Sequence, residues 1–283
     1  MRAFISILAV ALILFLIDSR LLPADFWRRL PVIEKSAGVL EKTVREVLTP
    51  MPLRTEKESP MSFLTRSGII VWTNGERKTA ELALLSENQK LNDAAVAKVQ
   101  DMFAKQYFEH ISPEGTAVGD LVEEVGYDYI AIGENLALGN FADDRDLVKA
   151  WMASLGHRAN ILKSSYREIG VAVGRGEFEG KTTWLAVQIF GRPRSVCPAE
   201  DKSLKVKIDA NQTRLSQLKS DIEKLGNEIE SMRPKRGAEY NARVDAYNFL
   251  VSVYNTLAED TKTAVETYNS QVRLFNQCVV ESD

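Results

Sequence analysis

The first hydrophobic feature of the chain is an almost unbroken apolar run from Ala3 to Ile17. As a helix this run would be about 22 Å long, which is shorter than the roughly 30 Å hydrocarbon core of a bilayer. The length is typical of the apolar region of a signal peptide, but no small-residue cleavage motif follows it. Because Leu21 and Leu22 can extend the run, we favour an uncleaved signal anchor over residues 1–22. A cleaved signal peptide remains the alternative.

Residues 23–60 have the pattern of a linker that ends in prolines. Apolar positions recur there at alternating steps of four and three residues, which predicts one short amphipathic helix. These positions are Ile33, Ala37, Leu40, Val44 and Val47. Pro50, Pro52 and Pro60 then interrupt any helix. We therefore expect a spacer that holds a folded domain away from the membrane.

Residues 61–195 have the mixed pattern of a compact domain. Helical periodicity covers residues 74–86, 93–106 and 144–152. Asp143 or Asp144 can cap the third helix, and the second has an apolar stripe beside polar residues that include Lys98. Residues 169–174 and 183–190 are rich in β-branched and aromatic side chains, and the glycines between them predict a β-hairpin. Helices followed by a hairpin indicate a layered α+β fold.

The last third of the chain, residues 197–283, has a different period. Apolar residues recur at steps of four and three from Leu204 to Met232, with Asn211 as one polar member of the series. Pro234 and Gly237 interrupt this seam, and a second seam with the same steps runs from Tyr240 to Phe275. Two matching seams joined by a short break predict an antiparallel coiled-coil helical hairpin.

The chain has two cysteines, one at each end of this predicted hairpin. Cys197 precedes the first arm and Cys278 lies near the end of the second, so an antiparallel hairpin brings them together at its base. We expect a disulfide, which requires an oxidising compartment outside the cytoplasm. Two free thiols in a reducing cytosol are the alternative.

Composition and charge exclude several classes of protein. The chain has 283 residues, of which 45% are hydrophobic and 27% charged, and this excludes a wholly disordered or multi-spanning membrane protein. The formal net charge of −3 argues against a nucleic-acid partner, since such proteins usually carry a basic excess. His110 and His157 are the two histidines of the sequence, so any chemistry that needs imidazole depends on them.

Several short motifs occur in a fixed order between residues 73 and 191. They are Thr73-Asn74 with Arg77, the segment Tyr107–Gly115, Gly126-Tyr127 followed by Gly133–Ala137, the segment Ala150–Leu162, and two closing strand motifs at 168–171 and 184–191. Together they resemble the CAP (SCP-like) superfamily in its bacterial form. The resemblance covers residues 61–195 approximately, and it is specific because no single motif carries it.

The resemblance implies an α/β/α sandwich with a small antiparallel sheet and a cleft lined by two histidines and two acidic residues. This chain keeps His110, Glu134 and His157 at matching positions. Ser154 stands where many eukaryotic members have the second glutamate, so one carboxylate is lost. The remaining set implies a possible ligand cleft formed by His110, Glu134, Ser154 and His157.

The chemistry of this cleft has three interpretations. Two imidazoles and one carboxylate are ligands that zinc or another divalent metal accepts, so His110, Glu134 and His157 are a candidate metal site. The same groups can instead form a buried structural hydrogen-bond network. Catalysis is the third interpretation, because Ser154 lies three residues before His157, but neither G-x-S-x-G nor H-E-x-x-H occurs. We expect Asn135 and Asn160 to build local turns.

These observations predict a membrane-tethered, extracytoplasmic protein with a CAP-like domain and a C-terminal helical hairpin. We favour a non-enzymatic binding or interaction module. A metal- or serine-assisted hydrolase of peptides or cell-wall material is the alternative. The N-terminal segment is the expected membrane contact, and the hairpin is an expected surface for a protein partner or for self-association.

Overall fold

The computed structural model describes residues 45–56, 58–59 and 61–280. The predicted signal anchor and residues 33–44 of the predicted linker helix lie outside these ranges. Within them, no helix combines the length and the apolar character needed to cross a membrane. Two compact units are present: one consists of the sheet domain together with the base of the helical hairpin, and the other is the distal part of the hairpin, residues 208–263.

The sheet domain is built on one six-stranded sheet. Three long antiparallel strands form its centre in the order β4, β6, β5, and short strands pair with them in parallel at the edges. The strands are β1 (Glu46–Leu48), β2 (Leu53–Arg54), β3 (Ser86–Glu87), β4 (Tyr129–Leu138), β5 (Glu168–Phe178) and β6 (Lys181–Pro193). The small antiparallel sheet predicted from the sequence is therefore confirmed at the centre, while the edges are parallel.

Five helices pack on this sheet in two layers. Neighbouring residues of β4 alternate between two apolar clusters, with Ile132 and Leu136 in one and Ala131 and Ala137 in the other. Helices α2 and α3 contribute to the first cluster, and α1, α4 and α5 to the second. The helices are α1 (Arg66–Thr79), α2 (Gln89–Lys105), α3 (Val118–Glu124), α4 (Asp144–Ala153) and α5 (Leu155–Leu162). This arrangement confirms the predicted α/β/α sandwich.

The first helix differs most from its predicted bounds. It begins at Arg66 because the Thr65 side chain caps it, accepting a hydrogen bond from the Gly68 amide at 3.0 Å. It ends at Thr79, before Glu81, which adopts a positive φ of 59°. The predicted cap of α4 is confirmed, since Asp143 accepts a bond from the Asp146 amide at 2.8 Å.

The predicted linker contributes two strands to the sheet. Val47 lies in β1 and pairs with Ile132 of β4, so the helix predicted to include Val47 does not extend to this residue. The apolar spacing was misleading because an exposed sheet edge offers this segment backbone partners that the sequence does not reveal. Residues 46–54 are thus attached to the domain and are not part of a free spacer.

Two long helices form the C-terminal hairpin, α6 (Lys202–Ser231) and α7 (Ala238–Val280). Leu215, Leu218 and Ile222 of α6 pack in one apolar cluster with Tyr247, Tyr254 and Ala258 of α7. Asn211 bonds Thr261 at 3.0 Å, and Glu228 pairs with Arg243 at 3.3 Å. Residue numbers rise on one arm as they fall on the other, which confirms the antiparallel hairpin.

The predicted disulfide closes the base of this hairpin. Cys197 and Cys278 are bonded, with 5.7 Å between their Cα atoms. Arg192 of β6 donates to the Cys278 carbonyl at 2.8 Å, and the Arg194 guanidinium lies 4.1 Å from the centre of the Phe275 ring. The base is therefore joined to the sheet domain by a covalent bond, hydrogen bonds and a cation–π contact.

Candidate functional site

The four predicted cleft residues lie on three parts of the sheet domain. Glu134 is in the middle of β4 and His157 is in α5, and both side chains are buried. His110 follows α2 in a loop, with 12% of its side chain exposed. Ser154 joins α4 to α5. The structure pairs His110 with Glu134 and Ser154 with His157, so the four residues form two hydrogen-bonded pairs.

His110 has both ring nitrogens occupied by oxygen atoms. Its Nδ1 lies 2.5 Å from Glu134 Oε2, and its Nε2 contacts the backbone carbonyl oxygen of Pro50. A carbonyl oxygen only accepts, so Nε2 carries a proton. A second proton must lie between Nδ1 and the carboxyl group, on one atom or the other. In both cases the His110–Glu134 pair has a net charge of zero.

A buried lysine positions the loop that carries His110. Lys98 is 1% exposed, and its Nζ donates to the His110 carbonyl at 2.8 Å and to Tyr107 Oη at 3.2 Å. Tyr107 in turn donates to Asp101 at 2.6 Å. Burial lowers the pKa of Lys98, and the nearby Glu134 carboxyl group opposes this shift. The sequence pattern placed Lys98 among the polar residues beside the apolar stripe, and only the neighbouring loop buries it.

The second pair joins a half-buried serine to a buried histidine. Ser154 Oγ lies 2.8 Å from His157 Nδ1. Burial, together with the neighbouring His110, lowers the pKa of His157 to about 4, and the nearby Leu136 carbonyl opposes this shift. His157 is therefore neutral at pH 7. A serine nucleophile needs a base whose ring is oriented by a third group, usually a carboxylate, and no described carboxylate bonds His157.

Four amide and hydroxyl side chains form a buried network behind these pairs. Gln188 of β6 donates to Thr73 Oγ1 at 2.7 Å and accepts from Asn135 at 3.1 Å. Asn160 donates to Asn135 Oδ1 at 3.0 Å, and Asn135 also donates to the His157 carbonyl at 3.3 Å. Asn135 lies within β4 and Asn160 within α5, so the prediction that both build turns is wrong. They join the strand to the helix that carries His157.

The arginine of the first motif connects two distant segments of the domain through hydrogen bonds to their backbone carbonyls. Arg77 is fully buried, and its guanidinium donates to the carbonyls of Ala83, Ile161 and Lys163 at 2.8 to 2.9 Å. Burial lowers its pKa to about 10, with a contribution from Arg167. The side chain thus ties the end of α5 to the turn after α1, and its role is structural.

The cleft does not fit a three-ligand metal site as it stands. Glu134 Oε1 and His157 Nε2 are buried without a hydrogen-bond partner, so each could donate a lone pair to a metal. His110 has no free lone pair while Pro50 and Glu134 occupy its nitrogens. Across residues 45–280, apart from the two omitted positions 57 and 60, no three His, Cys, Asp or Glu side chains are grouped to hold a metal ion. The metal set of His110, Glu134 and His157 stays a prediction.

Comparison with known proteins agrees with this architecture. Residues 72–190 match the model of the cysteine-rich secretory protein family, CAP. The middle region of the chain is therefore a CAP domain, as its motifs predicted.

Two proteins of Bacillus subtilis strain 168 are similar to the chain. YkwD, an uncharacterized protein, is 34% identical over 160 residues, and YlbC, an uncharacterized membrane protein, is 32% identical over 130 residues. The matches cover 56% and 46% of this chain but only 60% and 37% of those proteins. Among solved structures, an extracellular SCP-domain protein from Bacillus anthracis is 29% identical, with a TM-score of 0.39 over 45% of this chain and 40% of that one.

Proposed function

We propose that the protein is a membrane-tethered, extracytoplasmic CAP-domain protein that works as a binding module and not as a hydrolase. The observation that carries this proposal is the state of His110, whose two ring nitrogens are both hydrogen-bonded to oxygen atoms. A histidine in this state has no free lone pair with which to remove a proton from water or serine. The hydrogen bonds of the cleft thus hold its side chains in one fixed arrangement.

The disulfide supports the extracytoplasmic location. Cys197 and Cys278 are paired, and such bonds persist in oxidising compartments. The similar protein YlbC is named a membrane protein, and the apolar run at residues 3–17 provides a segment for anchoring. Fractionation of cells, followed by protease treatment from outside, tests this location. Recovery of the full chain in the soluble cytoplasm would contradict it.

The hydrolase alternative rests on the 2.8 Å contact between Ser154 and His157. Wild type and the Ser154→Ala variant can be compared on fluorescent casein and on labelled peptidoglycan, with His157→Asn as a second variant. We expect the three proteins to give the same background signal. Hydrolysis that disappears in both variants would replace the binding proposal with an enzymatic one.

The distal hairpin is the proposed surface for a protein partner or a second copy. Phe249 of α7 is 68% exposed, so its apolar ring is available for contact with another chain. Sedimentation of the full chain in detergent, at several concentrations, tests self-association. We expect any association to weaken in Phe249→Lys and to persist in the neighbouring exposed-site control Asn248→Lys.

A further inference from the structure

Residues 45–56, which we call the strap, lie along the edge of β4 in two short parallel pairings. Leu48 pairs with Gly133 through β1, and Leu53 pairs with Ala137 through β2. The pairing continues past β2, since the Thr55 amide donates to the Leu138 carbonyl at 3.0 Å. The strap thus extends the sheet in the way that a bound peptide adds a strand to an open edge.

Between its two strands, the strap contacts His110 of the His110–Glu134 pair. Residues 49–52 span the gap, opposite residues 134–136 of β4, and the Pro50 carbonyl accepts a bond from His110 Nε2. A Cβ atom at Gly156 would lie 2.6 Å from Pro50 Cβ. The glycine therefore leaves space for the proline ring, which places Pro50 in a fitted position between His110 and α5.

Side chains of the sheet domain recognise both the backbone and the charges of the strap. Asn160 donates to the Leu48 carbonyl at 3.2 Å, and Lys163 pairs with Glu46 at 3.1 Å. Glu179 pairs with Arg54 at 3.1 Å. The Arg54 guanidinium also lies 5.3 Å from the centre of the Phe108 ring. Along one groove, the domain thus provides the Asn160 amide, which hydrogen-bonds a backbone carbonyl, the basic group of Lys163 and the acidic group of Glu179.

The strap is held mainly by these polar contacts, since Leu53 packs against the second apolar cluster but is only partly buried. None of its residues is buried, and Val47 and Met51 are 44% and 88% exposed. Fully buried apolar side chains are the main source of stability in a folded domain, and no side chain of the strap is fully buried. Segments with few buried apolar contacts open at low free energy. The strap is therefore the part of the sheet best suited to exchange with another strand.

We propose that the strap occupies, within its own chain, a groove that binds an extended peptide segment of another protein. The peptide would run parallel to β4, place a proline carbonyl on His110 Nε2, and place a basic residue four positions later on Glu179. This inference rests on the proposed binding function and assigns the class of partner. The residues that read the peptide are His110, Gly156, Asn160, Lys163 and Glu179.

The test uses a fluorescein-labelled peptide with the sequence of residues 45–56, added to the full chain in detergent and followed by fluorescence polarisation. A release variant, Arg54→Glu with Thr55→Pro, removes the pair with Glu179 and one backbone bond without altering the groove. A lock variant, Pro50→Cys with Gly156→Cys, places two cysteines at neighbouring positions to hold the strap by a disulfide, and the same variant after reduction is its control.

We expect the release variant to bind the peptide at least tenfold more tightly than wild type, and the oxidised lock variant to show no binding. A peptide of reversed sequence is the matched control, because it has the same composition but cannot pair in the same direction. Equal binding of both peptides, or equal affinity of wild type, release and lock variants, would overturn the proposal. A release variant that forms a dimer on sizing would show that a second copy is the occupant and would also overturn it.

Hydrogen exchange on wild type keeps the proposal testable if the release variant fails to fold. Excess unlabelled peptide should speed exchange at residues 46–55 and leave exchange in β5 and β6 unchanged. No change at residues 46–55 would count against the groove.

Mass spectrometry of the peptide after incubation separates the two proposals. An intact bound peptide supports both of them. A cleaved peptide would support the groove and contradict the non-enzymatic function, while an intact unbound peptide would overturn the groove alone.

Discussion

The sheet domain and the distal hairpin bury polar groups in opposite ways. Within residues 208–263, Thr261 is the one polar side chain that is buried, and it meets Asn211 from the other arm. The sheet domain buries two arginines, a lysine, two glutamates, a histidine and several amides, and Lys98, Glu134 and His157 among them lie at the candidate site. The hairpin is therefore stabilised by a repeated apolar seam, whereas the sheet domain combines two apolar clusters with a set of buried polar contacts between distant residues.

This difference indicates where function is expected. Buried polar groups cost free energy unless they are hydrogen-bonded, so a domain that keeps many of them has a specific arrangement to maintain. In the sheet domain, that arrangement positions the site residues, since Lys98 bonds the His110 carbonyl and Asn135 bonds the His157 carbonyl. The hairpin has no comparable cluster among its described residues, so a role for the hairpin is proposed only for its exposed surface.

The largest expected effect comes from the link at the hairpin base. Replacing Cys197 and Cys278 together with serine opens a loop whose ends are 81 residues apart. The chain-entropy model gives a loss of roughly 3 to 4.5 kcal/mol in the free energy of unfolding. Urea unfolding followed by circular dichroism at helical wavelengths measures it. A loss below about 1 kcal/mol would show that the seam, and not the disulfide, holds the arms together.

The second prediction compares one polar residue from each region. Gln188→Leu leaves Thr73 and Asn135 without their partner, and we expect it to destabilise the sheet domain by about 2 to 3 kcal/mol. Asn211→Leu should change hairpin stability by no more than about 1 kcal/mol, in the stabilising direction, because Thr261 still donates to the Leu257 carbonyl.

Two optical signals separate these effects. Trp151 and Trp184 lie in the sheet domain, so tryptophan fluorescence follows its unfolding, while the long helices dominate circular dichroism. If Gln188→Leu and Asn211→Leu lower the free energy of unfolding by the same amount, the proposed difference between the two regions would be contradicted.

The third prediction concerns pH and the buried His157. Its pKa is about 4 in the folded protein and about 6.5 in the unfolded chain, so the unfolded state binds more protons between these values. Stability from this group is complete above pH 6.5 and decreases as the pH falls towards 4, by up to about 3 kcal/mol. Urea unfolding of wild type and His157→Asn at several pH values measures this. A variant with the same pH slope as wild type would contradict the assignment.

The smallest expected effect is that of zinc on the intact protein. Because the strap occupies His110 Nε2, we expect calorimetric titration of wild type with Zn²⁺ to show no stoichiometric binding. The release variant Arg54→Glu with Thr55→Pro frees this nitrogen, and His157→Ala within the release variant is the control. Tight binding to wild type that is lost in His157→Ala would show that the metal displaces the strap.

Much of the fold could be predicted because its signals are local. The steps of four and three residues identified both arms of the hairpin, and the position of the two cysteines identified their bond. The β5–β6 hairpin and the cap at Asp143 also followed from neighbouring residues. Strand β4 was missed because both of its faces are buried. All ten of its residues are buried, so its sequence lacks the alternation of apolar and polar residues that marks a half-exposed strand.

The site could be predicted only in part. The family motifs identified His110, Glu134 and His157, but they did not show which of the two histidines pairs with Glu134. Lys98 and Pro50 gave no signal, since a lysine on a polar helix face and a proline in a linker are common in any sequence. Pro50 acts through His110, 60 residues further along the chain, and Lys98 acts through Tyr107 and His110 of the loop that follows its helix.

The sequence by itself determined the periodic seams, the disulfide-closed hairpin, the α+β class and the set of polar residues available for the cleft, because these depend on spacing along one segment. The tertiary structure decided which of those residues meet. It placed Pro50 on His110, buried Lys98 beneath the same loop and joined Asn135 to Asn160. Hydrogen bonds act over about 3 Å, so their partners are fixed only once distant segments have been packed together.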